Sequence, residues 1–95
     1  MIIVSGRIYV RPGARQEFLT SSLEAVVQAR GSHGCRDFVV AADPIEPDRG
    51  NVYKERESEE ALLTFRGVGP GQDLSSKIVR ANVRKHAISL SGPAE

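Results

Sequence analysis

The sequence predicts an α+β protein with the element order β-α-β-β-α-β. Two segments, residues 2–11 and 78–90, alternate apolar and polar side chains as strands do. Between them, residues 14–30 carry apolar side chains at helical spacing, and Pro and Gly clusters separate the segments. With 95 residues, the chain has the length of one domain spanning residues 1–95.

The first strand and the first helix have the clearest patterns. In residues 2–11, one set of side chains should face a core, and it comprises Ile2, Val4, Ile8 and Val10. The other set comprises Ile3, Ser5, Arg7, Tyr9 and Arg11. Pro12-Gly13 ends this strand, and the helix that follows has the stripe Phe18, Leu19, Ser22, Val26 and Ala29. Gly31 is a suitable helix stop.

The middle of the chain predicts two strands and a second helix. Residues 35–42 form a strand that Asp43-Pro44 closes, and residues 51–57 form a third, more charged strand. Ser58 is a good N-cap for a helix that runs to about residue 66.

The last strand, residues 78–90, should divide its side chains between two faces. One face has Val79, Ala81, Val83, Ala87 and Ser89. The other has Ile78, Arg80, Asn82, Arg84, His86, Ile88 and Leu90.

This order of elements is that of the ferredoxin-like fold, a four-stranded antiparallel sheet with two helices on one face. The second face of such a sheet is bare, and here it would carry apolar side chains. We therefore expect a homodimer in which two copies pack sheet against sheet. Residues 43–60 hold seven acids and three bases, whereas residues 77–86 hold four bases and no acid. We expect these two segments to meet across the dimer.

Composition excludes several classes of function. Thirteen basic and twelve acidic side chains give a net charge of +1, which argues against a nucleic-acid or membrane-surface partner. No apolar run could cross a membrane and no signal peptide is apparent, so a cytoplasmic protein is expected. One cysteine excludes an intrachain disulfide, and two histidines without ligand spacing predict no metal. No cofactor motif is present.

A series of short motifs resembles the antibiotic biosynthesis monooxygenase (ABM) domain, of the dimeric α+β barrel group. In order, they are Gly34-Cys35, Asp37-Phe38-Val39-Val40, Ala42-Asp43-Pro44-x-x-Pro47, Asn51-Val52-Tyr53, Glu57-Ser58-Glu59-Glu60-Ala61-Leu62, and Phe65. The resemblance spans Val4 to Ser89 and implies a dimeric barrel. It also implies one of several activities, namely cofactor-free oxygenation of aromatic polyketides or quinols, haem degradation, or isomerisation of small metabolites.

The chain departs from the family pattern in its third strand. Family members often have a glutamate after the tyrosine and a tryptophan two positions later, where this chain has Lys54 and Arg56. By resemblance, that tryptophan helps to wall the substrate pocket. An arginine instead offers five donors and a fixed charge, which would suit an anionic substrate or an enolate or phenolate formed on the enzyme. The change disfavours haem degradation, and it is equally consistent with loss of the chemistry.

A cofactor-free oxygenase needs a dry pocket, a proton acceptor and donors that stabilise the substrate anion. His86 is the candidate acceptor, Asn51 and Tyr53 are candidate donors, and Arg56 and Arg84 are candidate anion stabilisers. Three aromatic side chains are candidate pocket walls: Phe18, Phe38 and Phe65. Each has a structural alternative, such as an interface histidine, a turn asparagine, a packing tyrosine, a salt-bridged arginine or a core phenylalanine.

Two functional hypotheses remain at this point. The first is a small cofactor-independent monooxygenase acting on an aromatic or quinol-like metabolite, in a pocket between the helices and the sheet. The second is a non-catalytic ligand-binding or pathway accessory protein that uses the same pocket.

Overall fold

The computed structural model describes residues 1–58 and 77–94. In this part of the chain the elements are β1 (Ile2–Val10), α1 (Arg15–Arg30), β2 (Cys35–Ala42), β3 (Arg49–Arg56) and β4 (Ile78–Ala87). The α+β prediction is confirmed, and each element lies within a few residues of its predicted position. Nearly all of the helix predicted at residues 58–66, including Phe65, lies outside the described residues.

The four strands form one antiparallel sheet in the order β2-β3-β1-β4. β1 is central and pairs with β3 on one side and β4 on the other. This is the strand order of the ferredoxin-like fold. Residues directly opposite one another in an antiparallel ladder project to the same face. The register of β1 therefore determines which side chains of β3 and β4 share a surface.

α1 packs on one face of this sheet, over β2 and β3. Its buried side chains include Phe18, Val26 and Ala29, at the helical spacing predicted from the sequence. The sheet contributes Ile2, Val4, Val10, Phe38 and Val52 to the core. Burial of each large apolar side chain contributes about 1.5–3 kcal/mol. The alternation of β1 thus places its even-numbered residues on the same side of the sheet as α1.

Two strand boundaries differ from the sequence prediction because pairing partners determine them. β3 begins at Arg49 rather than at residue 51, since the backbone N–H of Asp43 donates to the Arg49 carbonyl at 3.0 Å and extends the β2–β3 hairpin. β4 ends at Ala87 rather than at residue 90. Beyond it, the N–H of Ile88 donates to the carbonyl of Met1, the residue before β1, at 2.8 Å.

Gly6 allows β1 and β4 to approach closely. A Cβ placed on this residue would overlap the Asn82 carbonyl oxygen and lie 2.6 Å from the Val83 Cα. Both are backbone atoms of the paired strand, so they could not move aside without disturbing the ladder. The position therefore requires glycine.

Within residues 1–58 and 77–94, no helix has the length and apolar character needed to cross a membrane.

Candidate functional site

The sheet face opposite α1 carries most of the candidate polar residues, and we call it the open face. Three rows of directly opposed residues cross β3, β1 and β4 on this face. They are Asn51–Arg7–Asn82, Tyr53–Ser5–Arg84 and Glu55–Ile3–His86. The odd-numbered residues of β1, predicted to share one face, thus lie beside the polar face of β4.

A cavity of about 400 Å³ lies on the open face. The side chains around it include Ser5, Arg7, Asn51, Asn82, Arg84 and His86. Ser5 is the smallest side chain of the middle row, and it is flanked by longer ones. The hollow therefore forms above Ser5, with polar groups converging from three strands. Three residues predicted from the sequence, His86, Arg84 and Asn51, are brought together here.

Asn51 is fixed by hydrogen bonds on both sides of its amide. The Arg49 Nε donates to Asn51 Oδ1 at 2.8 Å, and Asn51 Nδ2 donates to Asp43 Oδ1 at 2.9 Å. An amide nitrogen carries two hydrogens, so one remains for a ligand. Asn51 is therefore more than a turn residue, because it links the β2–β3 loop to the edge of the cavity.

The carboxylate of Asp43 organises this loop. Its Oδ2 accepts the backbone N–H groups of Glu46 at 2.9 Å and Ile45 at 3.1 Å. These bonds, with that of Asn51, lower the pKa of Asp43 to about 2, and the Glu46 N–H contributes most. Hydrogen bonds to the charged form of a carboxyl group favour ionisation. The loop therefore carries a carboxylate throughout the physiological range of pH.

Arg49 also borders the cavity, but acidic neighbours compensate its charge. Its Nη1 lies 2.8 Å from Glu46 Oε2, and its Nε lies 3.5 Å from Asp43 Oδ1. The pKa of Arg49 is raised, mainly by its hydrogen bond to Glu46. Arg15, from α1, donates to the carbonyls of Asp43 and Glu46 at 3.0 and 2.9 Å and holds the loop in place.

Tyr53 lies in the same row as Ser5 but does not offer its proton to the cavity. Its hydroxyl donates to Glu55 Oε2 at 2.9 Å, and this bond is the main cause that raises the pKa of Tyr53. Glu55 is also 3.4 Å from the Arg36 Nε. The donor predicted at Tyr53 is thus already engaged by a carboxylate of its own strand.

Arg7 and Arg84 supply the uncompensated positive charge of the cavity. Among the described residues, neither of these two guanidinium groups has an acidic side chain within 4.0 Å. Arg7 was not a candidate from the sequence. Its position on the polar side of β1 was predictable, but its neighbour Asn82 depends on the β1–β4 register.

Three candidates lie on the opposite face of the sheet from His86. Arg56 is fully buried, and Phe38 and Phe18 are 6% and 4% exposed in the core beside α1. Asn51 and Arg56 are five residues apart in one strand, so their side chains project to opposite faces. These three residues are therefore on the other side of the sheet from His86, Arg84 and Asn51. The pocket predicted between the helices and the sheet stays a prediction, since most of the second predicted helix lies outside the described residues. Phe18 and Phe38 lie in the core, which was the structural alternative given for them.

In residues 1–58 and 77–94, no three His, Cys, Asp or Glu side chains cluster so that they could hold a metal ion.

Comparison with known proteins identifies a family. The sequence profile of the family described as "Antibiotic biosynthesis monooxygenase" matches residues 1–69. No curated protein sequence matches the chain.

Solved structures share the fold at low identity. A protein from Deinococcus radiodurans with the provisional name antibiotic biosynthesis monooxygenase has a TM-score of 0.86 and 14% identity, over 100% of this chain and 99% of its own. One of the same provisional name from Nitrosomonas europaea has a TM-score of 0.84 and 10% identity, over 95% and 100%. Rv0793 from Mycobacterium tuberculosis has a TM-score of 0.81 and 18% identity, over 97% and 98%.

Proposed function

The chain belongs to the antibiotic biosynthesis monooxygenase family, and from that premise we propose that it is a cofactor-independent monooxygenase of an aromatic or quinol-like metabolite. The observation that carries the proposal is the meeting of His86, Arg84 and Asn51 around one cavity. These three residue types match what the reaction requires, namely a proton acceptor, a fixed positive charge and a neutral donor.

The reaction balances without an added reductant. A hydroquinone and one O₂ give a hydroxyquinone and one water, so one oxygen atom enters the product and the other leaves as water. The substrate supplies all the electrons that reduce O₂. What the protein must provide is the substrate anion, because the phenolate or enolate gives up an electron far more readily than the neutral phenol or ketone does.

Each of these three residues has one role in forming or positioning that anion. His86 accepts the phenolic proton, because a histidine side chain is the commonest general base in enzymes. The Arg84 guanidinium stabilises the resulting oxyanion through charge-assisted hydrogen bonds. The remaining amide hydrogen of Asn51 orients a second substrate oxygen. Because Asn51 is fixed by Asp43 and Arg49, that donor is held in position before the substrate arrives.

A second copy of the chain would enclose the cavity. Arg84 and His86 are both exposed on the open face, whereas the anion chemistry requires exclusion of bulk water. The open face also carries partly buried Ile3 and Val39, which a partner sheet could cover. We infer a homodimer packed through this face, in which the basic β4 approaches the acidic β2–β3 loop of the partner. Light scattering at micromolar concentration should give twice the mass of the 10.3 kDa chain. A monomer would contradict the inference.

Oxygen consumption tests the catalytic proposal. Wild-type protein, without added cofactor and with a chelator present, should consume O₂ with members of a panel of hydroquinones and anthrones. His86→Gln should lower kcat at least 100-fold, since removal of a general base typically costs about 10²–10⁴-fold. The matched control is His33→Gln, which removes the other histidine of the chain at an exposed position. Equal activity of the two variants would refute the role of His86.

The accessory-protein hypothesis is distinguished in the same experiment. Saturable binding of these compounds without O₂ consumption by the wild-type protein would replace the oxygenase proposal with that of a ligand-binding protein.

A further inference from the structure

We propose that Arg30 and Asp37 lock the outer edge of β2, the side of this strand that faces away from β3. Together they occupy both backbone hydrogen-bonding groups of Phe38, so that a second copy of the chain cannot extend the sheet through β2. The inference goes beyond the proposed function. Among the described residues that line the open-face cavity, none belongs to β2, so the lock and the oxygenase can be tested separately.

β2 is an edge strand whose sequence favours association. The strand order β2-β3-β1-β4 places it at one end of the sheet, with β3 on its inner side. It contains five consecutive apolar residues, from Phe38 to Ala42, without glycine, proline or charge. A segment of this kind at an unprotected edge pairs readily with copies of itself. The edge therefore needs a feature that prevents such pairing.

The pattern of the β2–β3 ladder determines which backbone groups of β2 point outward. The Asp43 N–H donates to the Arg49 carbonyl, so this pair is hydrogen-bonded across the ladder. In an antiparallel ladder, such pairs alternate with pairs whose backbone groups point away from the partner strand. The register is regular from Ala42 back to Phe38. The backbone groups of Phe38, Val40 and Ala42 therefore point to the outer edge.

Arg30 and Asp37 close this edge at Phe38. Arg30 is in the last turn of α1, and its Nε donates to the Phe38 carbonyl at 2.8 Å. The Phe38 N–H donates to Asp37 Oδ1 at 2.9 Å. The Arg30 Nε also lies 3.9 Å from the same Asp37 oxygen, which joins the two side chains into one unit. An incoming strand would have to displace both side chains before it could bond to Phe38.

The lock leaves too little of the edge for a stable strand pair. Before Phe38 the register shifts between Cys35 and Asp37, and an irregularity of this kind interrupts pairing. Beyond Phe38, the part of β2 with outward backbone groups is limited to Val40 and Ala42, because the strand ends there. Strands in sheets usually have about 5–6 residues, so a pair confined to this end of β2 would be unusually short.

The opposite edge of the sheet is protected in a different way. β4 carries Arg80, Arg84 and Lys85 and no acidic side chain. Two copies of β4 side by side would bring these like charges together, which opposes pairing. The two charged residues of β2, Arg36 and Asp37, balance each other in charge. The β2 edge therefore depends on hydrogen bonds for its protection.

Amide hydrogen exchange of the wild-type protein, followed by NMR, tests whether the lock forms. After correction for intrinsic rates, we expect the Phe38 N–H to exchange at least fivefold more slowly than the Ala42 N–H, because Asp37 accepts the former. Equal rates would overturn the proposal, since they would mean that Phe38 is not locked or that the whole edge is already paired. This experiment needs no substitution, so it is independent of how well any variant folds.

Sedimentation velocity tests the consequence for association. The double variant Arg30→Ala/Asp37→Ala loses one base and one acid, so its net charge stays at +1. We expect the fraction of species larger than the wild-type particle to be at least fivefold that of wild type at the same concentration. Adding Ala42→Pro should reverse this association, since proline removes an outward N–H from the rest of the edge. An unchanged distribution in the double variant, or association that persists with Ala42→Pro, would overturn the proposal.

The matched control is Arg36→Ala/Glu57→Ala, which also removes one base and one acid from this end of the sheet. Arg36 lies 3.4 Å from Glu55 on β3, and Glu57 is exposed. The control should sediment as wild type does, because the bonds to Phe38 stay in place. Equal association of the control and the double variant would assign the effect to lost surface charge and overturn the proposal.

Discussion

Asn51 donates its side-chain amide to Asp43 Oδ1 at 2.9 Å, and this bond fastens the β2–β3 loop to the wall of the open-face cavity. Asp43 lies at the end of the hairpin, and Asn51 lies inside β3. A change in the charge of one carboxylate should therefore affect both the stability of the hairpin and the position of a donor at the cavity.

Asp43→Asn should destabilise the protein in a pH-dependent way. The folded-state pKa of Asp43 is about 2, below its ordinary value of 3.8. The carboxylate therefore stabilises the native state above about pH 4, and this contribution disappears as the pH falls from about 4 to 2. Urea denaturation midpoints should show a deficit for the variant at pH 7 that shrinks by pH 2.5.

Asp48→Asn serves as the control for that experiment, since Asp48 belongs to the same loop but accepts one longer bond, from the Gly13 N–H at 3.3 Å. Its deficit should be smaller at pH 7. A deficit of Asp43→Asn that stays constant down to pH 2.5 would contradict the assignment of the stabilisation to the carboxylate.

The Tyr53 phenol should ionise at lower pH when Glu55 loses its charge. The hydrogen bond to Glu55 raises the pKa of Tyr53 above its ordinary value of 10.0. In a Tyr9→Phe background Tyr53 is the one tyrosine left in the chain, so phenolate absorbance reports it alone. Glu55→Gln should move the titration toward pH 10, and an unchanged curve would show that this bond does not form.

Gly6→Ala should destabilise the β1–β4 pairing. The added methyl group would meet the backbone of Asn82 and Val83, and overpacking of this kind typically costs about 1–3 kcal/mol. Gly50→Ala is the control within the same sheet. There the nearest atom to a new Cβ is Phe18 Cε1 at 3.7 Å, an ordinary contact. Chemical denaturation should thus separate the two variants, and equal stability would contradict the close approach at Gly6.

Arg56→Ala should affect stability rather than ligand binding. Its side chain is fully buried on the side of the sheet that faces away from His86, and it interacts within the chain. Loss of a large buried side chain and its charge should cost about 3 kcal/mol. The Kd for hydroquinone, measured under argon below the thermal transition, should change less than twofold. A variant that stays stable but binds the ligand much more weakly would contradict this prediction and show that Arg56 contributes to the ligand site.

The sequence was sufficient for the strands and for which side chains share a face. The alternation of β1 predicted the buried Ile2, Val4 and Val10, and that of β4 predicted the shared face of Arg84 and His86. The separation of Asn51 from Arg56 could also have been predicted, because an odd spacing in a strand places two residues on opposite faces.

Other features depended on pairing that one strand does not encode. The position of Arg7 beside Asn82 at the cavity depends on the β1–β4 register, which the sequence of β1 alone does not determine. Likewise, Tyr53 looked like a free donor until the structure placed its hydroxyl against Glu55, two residues along the same strand. Competition among neighbouring polar groups for one proton is decided by rotamers rather than by sequence spacing.

The strand order β2-β3-β1-β4 also bears on how the chain folds. The central strand forms half of its ladder with residues about 68–85 positions later, as in the pairs Val10↔Ile78 and Ile2↔Ala87. Such distant closure carries a large entropic cost and slows folding relative to local hairpins. During synthesis, β2 and β3 can pair before β4 has been made. The edge of β1 that pairs with β4 stays unpaired until then.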